Sequence, residues 1–359
     1  MKQMKSQSGP LVSIVTPVYN GERYLEECIQ SVLTQTYTNV EYLIVNNCST
    51  DATLSIARRY ELLDKRIKVY DYREFVDVIE SHNRAFRLVS PESKYCKVVS
   101  SDDCLFPDCI AQMVELAEAN PTVGIVGSYA LSGGSEGCRV TFDGLPYGTT
   151  VISGREACRW HLLGGRYFLG MPTSVIYRSD LVRGAARFYP NSRQHADISA
   201  FYECLRTTDF GFVHQVLAYE RVHEDALGAK AKPLASSAGS HLLDLRDYGP
   251  RYLSKEELGK RTDDALRSYC KIVAAGIINF KGREFWKYHK AILEESGCPR
   301  VWLYLGRAFC MKVADLLFNP KQTLEKVLRR RKISGQSTID VQRPGDWLSE
   351  MNGSSRAGM

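Results

Sequence analysis

The stretch LVSIVTPVYNGERYLEECIQSVLTQTYTNVEYLIV, residues 11–45, decides the fold class. LVSIVTPV (11–18) is rich in β-branched residues and reads as a buried strand. In ERYLEECIQSVLTQ (22–35), Tyr24, Leu25, Cys28, Ile29, Val32 and Leu33 recur at helical spacing and form one apolar face. VEYLIV (40–45) is the next strand. The unit is therefore strand, helix, strand.

Working outward, the rhythm persists. Ser49 stands where an N-cap is needed for the next helix, with Asp51 in its first turn. IKVYDY (67–72), a helix near 79–89, YCKVV (95–99), a helix near 107–119 and VGIVGS (123–128) follow. Strands alternating with helices predict an α/β fold: a Rossmann-like, mostly parallel sheet with helices on both faces. Such sheets bind ligands beyond the carboxyl ends of their strands. Those ends carry TPVYNGE after the first strand, NNCSTD after the second and SSDD after the fourth, and they should converge on one crevice.

Composition narrows the class. Of 359 residues, 44% are apolar and 25% charged, which is ordinary for a globular protein. The net charge of +6 is concentrated in KQTLEKVLRRRK (321–332), so general binding to nucleic acid is not expected. The 11 cysteines include no Cys-x-x-Cys pair, which argues against a disulfide framework or structural zinc. With no apolar leader in MKQMKSQSGP and no membrane-length apolar run, the expected location is the cytoplasm.

VVSSDDCLFPD (98–108) sets two carboxylates side by side. Like charges repel, so Asp102 and Asp103 need water or a cation. They either solvate the turn before a helix starting at Pro107, or hold a divalent ion with substrate phosphates.

SIVTPVYNGERYLEECIQSVLTQTYTNVEYLIVNNCSTDATL, then SSDDCLFPD, then HADISAFYECLRTTDFGFVHQVLAYERVH (195–223), resembles family 2 of the inverting glycosyltransferases, which have a GT-A-type fold. The resemblance covers residues 10–225. It implies a nucleoside-diphosphate-sugar donor, a saccharide or lipid-linked saccharide acceptor, and Mg²⁺ or Mn²⁺. By the same resemblance, Thr16, Pro17, Val18 and Tyr19 of TPVYN line the nucleotide, with Pro17 and Tyr19 at the base. Asn46 falls where an aspartate commonly reads the base. Asn83 matches an asparagine on the helix before the metal motif. Asp102 approaches the ribose and Asp103 the metal. Asp197 takes the place of the catalytic base, and His223 approaches the metal or diphosphate. Three departures stand out: Asn46 and Asn47 replace two acids, Ala196 replaces a glutamate, and His82 replaces an arginine.

Read without the resemblance, Asp197 is an ordinary N-cap and His223 a core or surface histidine. The resemblance further implies a role in bacterial surface polysaccharide synthesis. Two other classes share parts of the pattern: a sugar-nucleotide nucleotidyltransferase, and a silent nucleotide-sugar-binding module. The first usually has a glycine- and Arg/Lys-rich phosphate loop, which TPVYNGE is not. The second would lack the base or the metal acids.

The expected division is a catalytic domain at 1–232, a helical extension at 233–335 and a flexible tail at 336–359. In VWLYLGRAFCMKVADLLFN (301–319), Arg307, Lys312, Asp315 and Asn319 share one helical side. That helix either packs on the catalytic domain or lies on an anionic membrane at the inner face of the plasma membrane.

Overall fold

A computed structural model describes residues 9–318 except 135–136, 194, 227–231, 280 and 299, together with the side chains of all of these but 232, 277–278 and 315–317. The tail expected at 336–359 and the basic run at 321–332 lie outside the described residues.

The opening unit forms as its pattern predicts. Strand β1 (Val12–Val18) is buried at every position, and helix α1 (Leu25–Leu33) buries Leu25, Cys28, Ile29 and Val32. Then come β2 (Val40–Asn47), α2 (Thr53–Leu63), β3 (Ile67–Tyr72), α3 (Val78–Phe86) and β4 (Tyr95–Val98). Strands β1, β2 and β3 pair in parallel, and β1 pairs in parallel with β4 on its other side. Side chains alternate across the sheet. Val12 and Ile14 enter one apolar core with α1 and α2, whereas Val15 enters a second core on the opposite face. Burial on both faces explains the near-continuous apolar strands.

The Ser49 N-cap is not formed. Helix α2 begins at Thr53, and the Thr53 N–H bonds to Asp51 Oδ1 at 3.0 Å. Ser49 Oγ instead accepts the Asn20 N–H at 2.9 Å, because the loop after β1 needs that acceptor. Asp77 caps α3, accepting from the Ile79 and Glu80 N–H groups.

Beyond β4 the sheet turns mixed. The elements are β5 (Cys104–Leu105), α4 (Cys109–Ala119), β6 (Val123–Gly134), β7 (Gly137–Thr141), β8 (Val151–Ile152), α5 (Gly154–Leu162), β9 (Val175–Arg178), α6 (Ser179–Arg183), α7 (Ala196–Cys204) and β10 (Asp209–Arg221). The main path runs β3-β2-β1-β4-β9-β6-β10-β5. β9 is antiparallel to both its neighbours, β4 and β6, whereas β10 runs parallel to β6.

The chain then becomes helical: α8 (Ser236–Asp247), α9 (Gly249–Tyr252), α10 (Lys255–Ile278), α11 (Arg283–Ser296) and α12 (Val301–Phe318). Leu242, Leu243, Leu245, Leu266 and Tyr269 join the core that contains Val15 and Val98. These helices thus cover one face of the sheet, and each large apolar side chain so buried contributes about 1.5–3 kcal/mol. No helix among the described residues is long and apolar enough to cross a membrane.

Candidate active site

The loops after β1 and β2 are laced together by polar contacts. Asn20, at φ +50°, accepts the Thr50 N–H at 2.8 Å; the Gly21 N–H reaches Thr53 Oγ1 at 2.7 Å; Glu22 accepts the Ala52 N–H at 2.8 Å. Asparagine tolerates the left-handed backbone there. Of the four residues expected to line a nucleotide, Thr16, Pro17 and Val18 are buried within β1. Thr16 Oγ1 donates to the Val99 carbonyl at 2.9 Å. Tyr19 emerges, 49% exposed, and meets Phe75 edge-on with ring centroids 4.7 Å apart.

The two adjacent carboxylates face different ways. Asp103 is buried, with Oδ2 accepting from Thr173 Oγ1 at 2.5 Å and Oδ1 from the Arg221 N–H at 2.9 Å. Burial, reinforced by the Asp102 charge, pushes its carboxyl up to about 7. Asp102 remains part-exposed, and its Oδ2 lies 3.0 Å from His223 Nε2. The other ring nitrogen, Nδ1, is buried and has no partner among the described residues. Arg221 ties the corner, donating from Nε to the Asp102 carbonyl at 2.9 Å and pairing with Glu27 at 2.6 Å. Its guanidinium also lies over the Tyr24 ring.

One carboxylate and one imidazole suit Mg²⁺ or Mn²⁺ when diphosphate oxygens and water complete the shell. Among the described residues, no three His, Cys, Asp or Glu side chains converge on a point that protein ligands alone could fill.

Behind Asp103 stands a buried Lys97, whose ammonium donates to the Thr173 and Val175 carbonyls. Glu220 is buried as well; burial and the Asp103 charge push its carboxyl up to about 8, and its Oε1 has no partner among the described residues.

Asp197 sits in the first turn of α7. Burial raises its carboxyl above the usual carboxylate range, partly offset by His195. No side-chain hydrogen-bond donor among the described residues engages it. Tyr167, which donates to the Gly170 carbonyl at 2.7 Å, lies within electrostatic reach of Asp197, Glu220 and Asp244. The segment leading to Asp197 is braced on two sides. Asn83 grips the Tyr189 backbone, and Arg193 pairs with Asp247 at 2.7 Å and with Glu295 at 2.5 Å. Asn83, expected at the nucleotide, thus has both ends of its amide engaged in the interior. Asn46 is likewise buried, donating to Asp71 Oδ1 at 2.8 Å.

The sequence pattern does not single out Phe75, Asp71, Arg221, Glu220, Tyr167 or Asp244. For Phe75 one signal existed: an aromatic residue in the short turn between β3 and the Asp77 cap.

A family model described as Glycosyl transferase family 2 matches residues 13–152. A Bacillus subtilis (strain 168) glycosyltransferase named for teichuronic acid biosynthesis, TuaG, is 37% identical over 106 residues, covering 30% of this chain and 41% of that protein. Of solved structures, S. aureus TarS 1-349 in complex with UDP-GlcNAc superposes with a TM-score of 0.59 at 16% identity, over 81% of this chain and 82% of that one. The mannosyltransferase PcManGT from Pyrobaculum calidifontis, in complex with GDP-Man and Mn2+, gives 0.52 at 17% identity, over 82% and 88%. These likenesses show the fold. The chain spans only about a third to two-fifths of the length of the first curated relatives it matches. The residues that match glycosyl transferase family 2, 13–152, are those that carry the loops after β1, β2 and β4.

Proposed function

We propose that the protein transfers a sugar from a nucleoside diphosphate to an acceptor hydroxyl, with inversion at the anomeric carbon. The observation that carries this reading is the separation of roles at the site. Asp102 and His223 form a part-exposed polar pair, while Asp197 holds a carboxylate with no side-chain donor among the described residues at the start of α7. In the reaction, the acceptor oxygen bonds to the anomeric carbon as that carbon's bond to the diphosphate breaks. Asp197 takes the acceptor proton, and the leaving group departs as the nucleoside diphosphate. Asp102 and His223 are the residues that would hold Mg²⁺ or Mn²⁺, which neutralises charge on a departing diphosphate. Asp103, with both oxygens engaged, supports the corner from behind.

The sugar nucleotides in complex with TarS and PcManGT support a donor of this class, and TuaG's name supports a cell-surface polysaccharide product. Residues 1–232 would form the catalytic part, and the following helices the extension. Two features support peripheral contact with an anionic membrane. Trp302, Leu303, Met311 and Phe318 on α12 are exposed, and the sequence beyond is basic at 321–332. Binding to phosphatidylglycerol vesicles at low salt, released by salt, tests that contact; indifference to such vesicles opposes it.

The test of function is nucleotide release from a panel of UDP-, GDP- and dTDP-sugars with Mn²⁺ and a mixture of acceptor saccharides. Release with a new glycosidic bond of inverted configuration supports the reading. Pyrophosphate-dependent formation of nucleoside triphosphate would point to a nucleotidyltransferase, and binding without turnover to a silent module.

A further inference from the structure

Val18, Asn46 and Asp71 lie side by side across the ends of β1, β2 and β3 in the parallel register. Asn46 is buried and its amide is engaged at both ends. Nδ2 donates to Asp71 Oδ1 at 2.8 Å, and Oδ1 accepts the Ser49 N–H at 3.3 Å. Asn47 grips the loop after β3, donating to the Val76 carbonyl at 2.8 Å and accepting the Val76 N–H at 3.1 Å. That grip brings the adjacent Phe75 back over the sheet end to meet Tyr19. Phe75 is 56% exposed, so two aromatic rings stand open together beside an acid. Exposed rings of this kind are platforms for stacking a planar base.

Asp71 itself is exposed, and only one of its oxygens is occupied among the described residues. An ionised carboxylate accepts hydrogen bonds and donates none. Asn46 fixes its orientation.

Resting on the nucleotide-sugar reading above, we propose that Asp71 reads the donor's base. Its free carboxylate oxygen accepts the ring N–H of uracil, thymine or guanine, while Tyr19 and Phe75 flank the ring. Cytosine and adenine present a ring lone pair at the corresponding position. That lone pair faces the carboxylate without a proton between them, and such bases are rejected. The two asparagines build the pocket: Asn46 orients the acid and Asn47 places the aromatic wall.

The experiment is calorimetric titration of the full chain in Mn²⁺ with UDP, GDP, CDP and N3-methyl-UDP, repeated on Asp71→Ala. A hydrogen bond to a charged group corresponds to about 10–100-fold in affinity. Wild type should bind UDP or GDP more tightly than CDP by about that factor. If UDP is preferred, N3-methylation should remove the advantage; if GDP is preferred, the partner is guanine N1–H. Asp71→Ala should bring the preferred nucleotide to within about threefold of CDP and leave CDP unchanged. Preference retained in Asp71→Ala, or equal binding of CDP by wild type, overturns the assignment. Failure of wild type to bind any of the nucleotides overturns the nucleotide-sugar reading itself, and the assignment with it.

Discussion

Asn83 holds the backbone of Tyr189: its Oδ1 accepts the Tyr189 N–H at 2.9 Å and its Nδ2 donates to the Tyr189 carbonyl at 3.1 Å. One amide thereby satisfies both main-chain groups of a buried residue eight positions before Asp197. Asn83→Ala leaves both groups unpaired and should cost about 1–3 kcal/mol for each. Denaturant unfolding should register that loss, with slower sugar transfer alongside. Nucleoside diphosphate affinity, measured by calorimetry, should stay within about twofold. Lost affinity with unchanged stability would return Asn83 to the nucleotide.

Asp102 and Asp103 should separate on mutation. Asp102→Asn removes the presented carboxylate and should abolish the Mn²⁺-dependent part of diphosphate affinity. Asp103→Asn keeps an oxygen for the Arg221 N–H, so most of that dependence should survive. Mn²⁺ titrations at fixed UDP or GDP distinguish the two; equal losses would place both acids on the metal.

Asp244 gives a pH signature. Burial, with Asp247 and Asp197 adding, outweighs Arg193 and pushes its carboxyl up to about 8 from 3.8. The unfolded chain releases this proton near the ordinary value, whereas the folded chain keeps it until about pH 8. Between those values the unfolded state binds fewer protons, so stability falls as pH rises. Asp244→Asn removes that penalty. It should gain on the order of 1–3 kcal/mol at pH 8 and much less at pH 4. Thermal unfolding at both pH values checks this, and a pH-independent difference would contradict it.

β1, β2 and β4 were legible because each is buried on both faces, whereas β3, at the sheet edge, was legible from the alternation that buries Ile67 and Val69 and exposes Lys68. β9 was not, since VIYR is short and its antiparallel place between β4 and β6 depends on partners distant in the chain. At the site, the strand ends imply that Asp102 and Asp103 share one crevice, and the family resemblance adds His223, which lies 3.0 Å from Asp102. The pattern does not tell which carboxylate faces outward, because Thr173 and the Arg221 N–H, both distant in sequence, decide that. Nor does it reveal that the Asn46 and Asn47 amides are engaged by Asp71 and Val76. Both partners come from the strand end whose loop carries no cluster of turn residues. The helices beyond residue 233 were legible as helices. Asp244 was not, because nothing local marks a carboxylate that ends beside Asp197.

The most direct test of the account is Asp197→Asn, with affinity for the nucleotide-sugar and transfer rate measured on the same preparation. The substitution keeps the shape and removes the base. Donor affinity should match wild type, because the proposal assigns the donor contacts to the other strand ends, while transfer falls by about 10²–10⁴-fold. Transfer at near wild-type rate would contradict the assignment of Asp197 as the base.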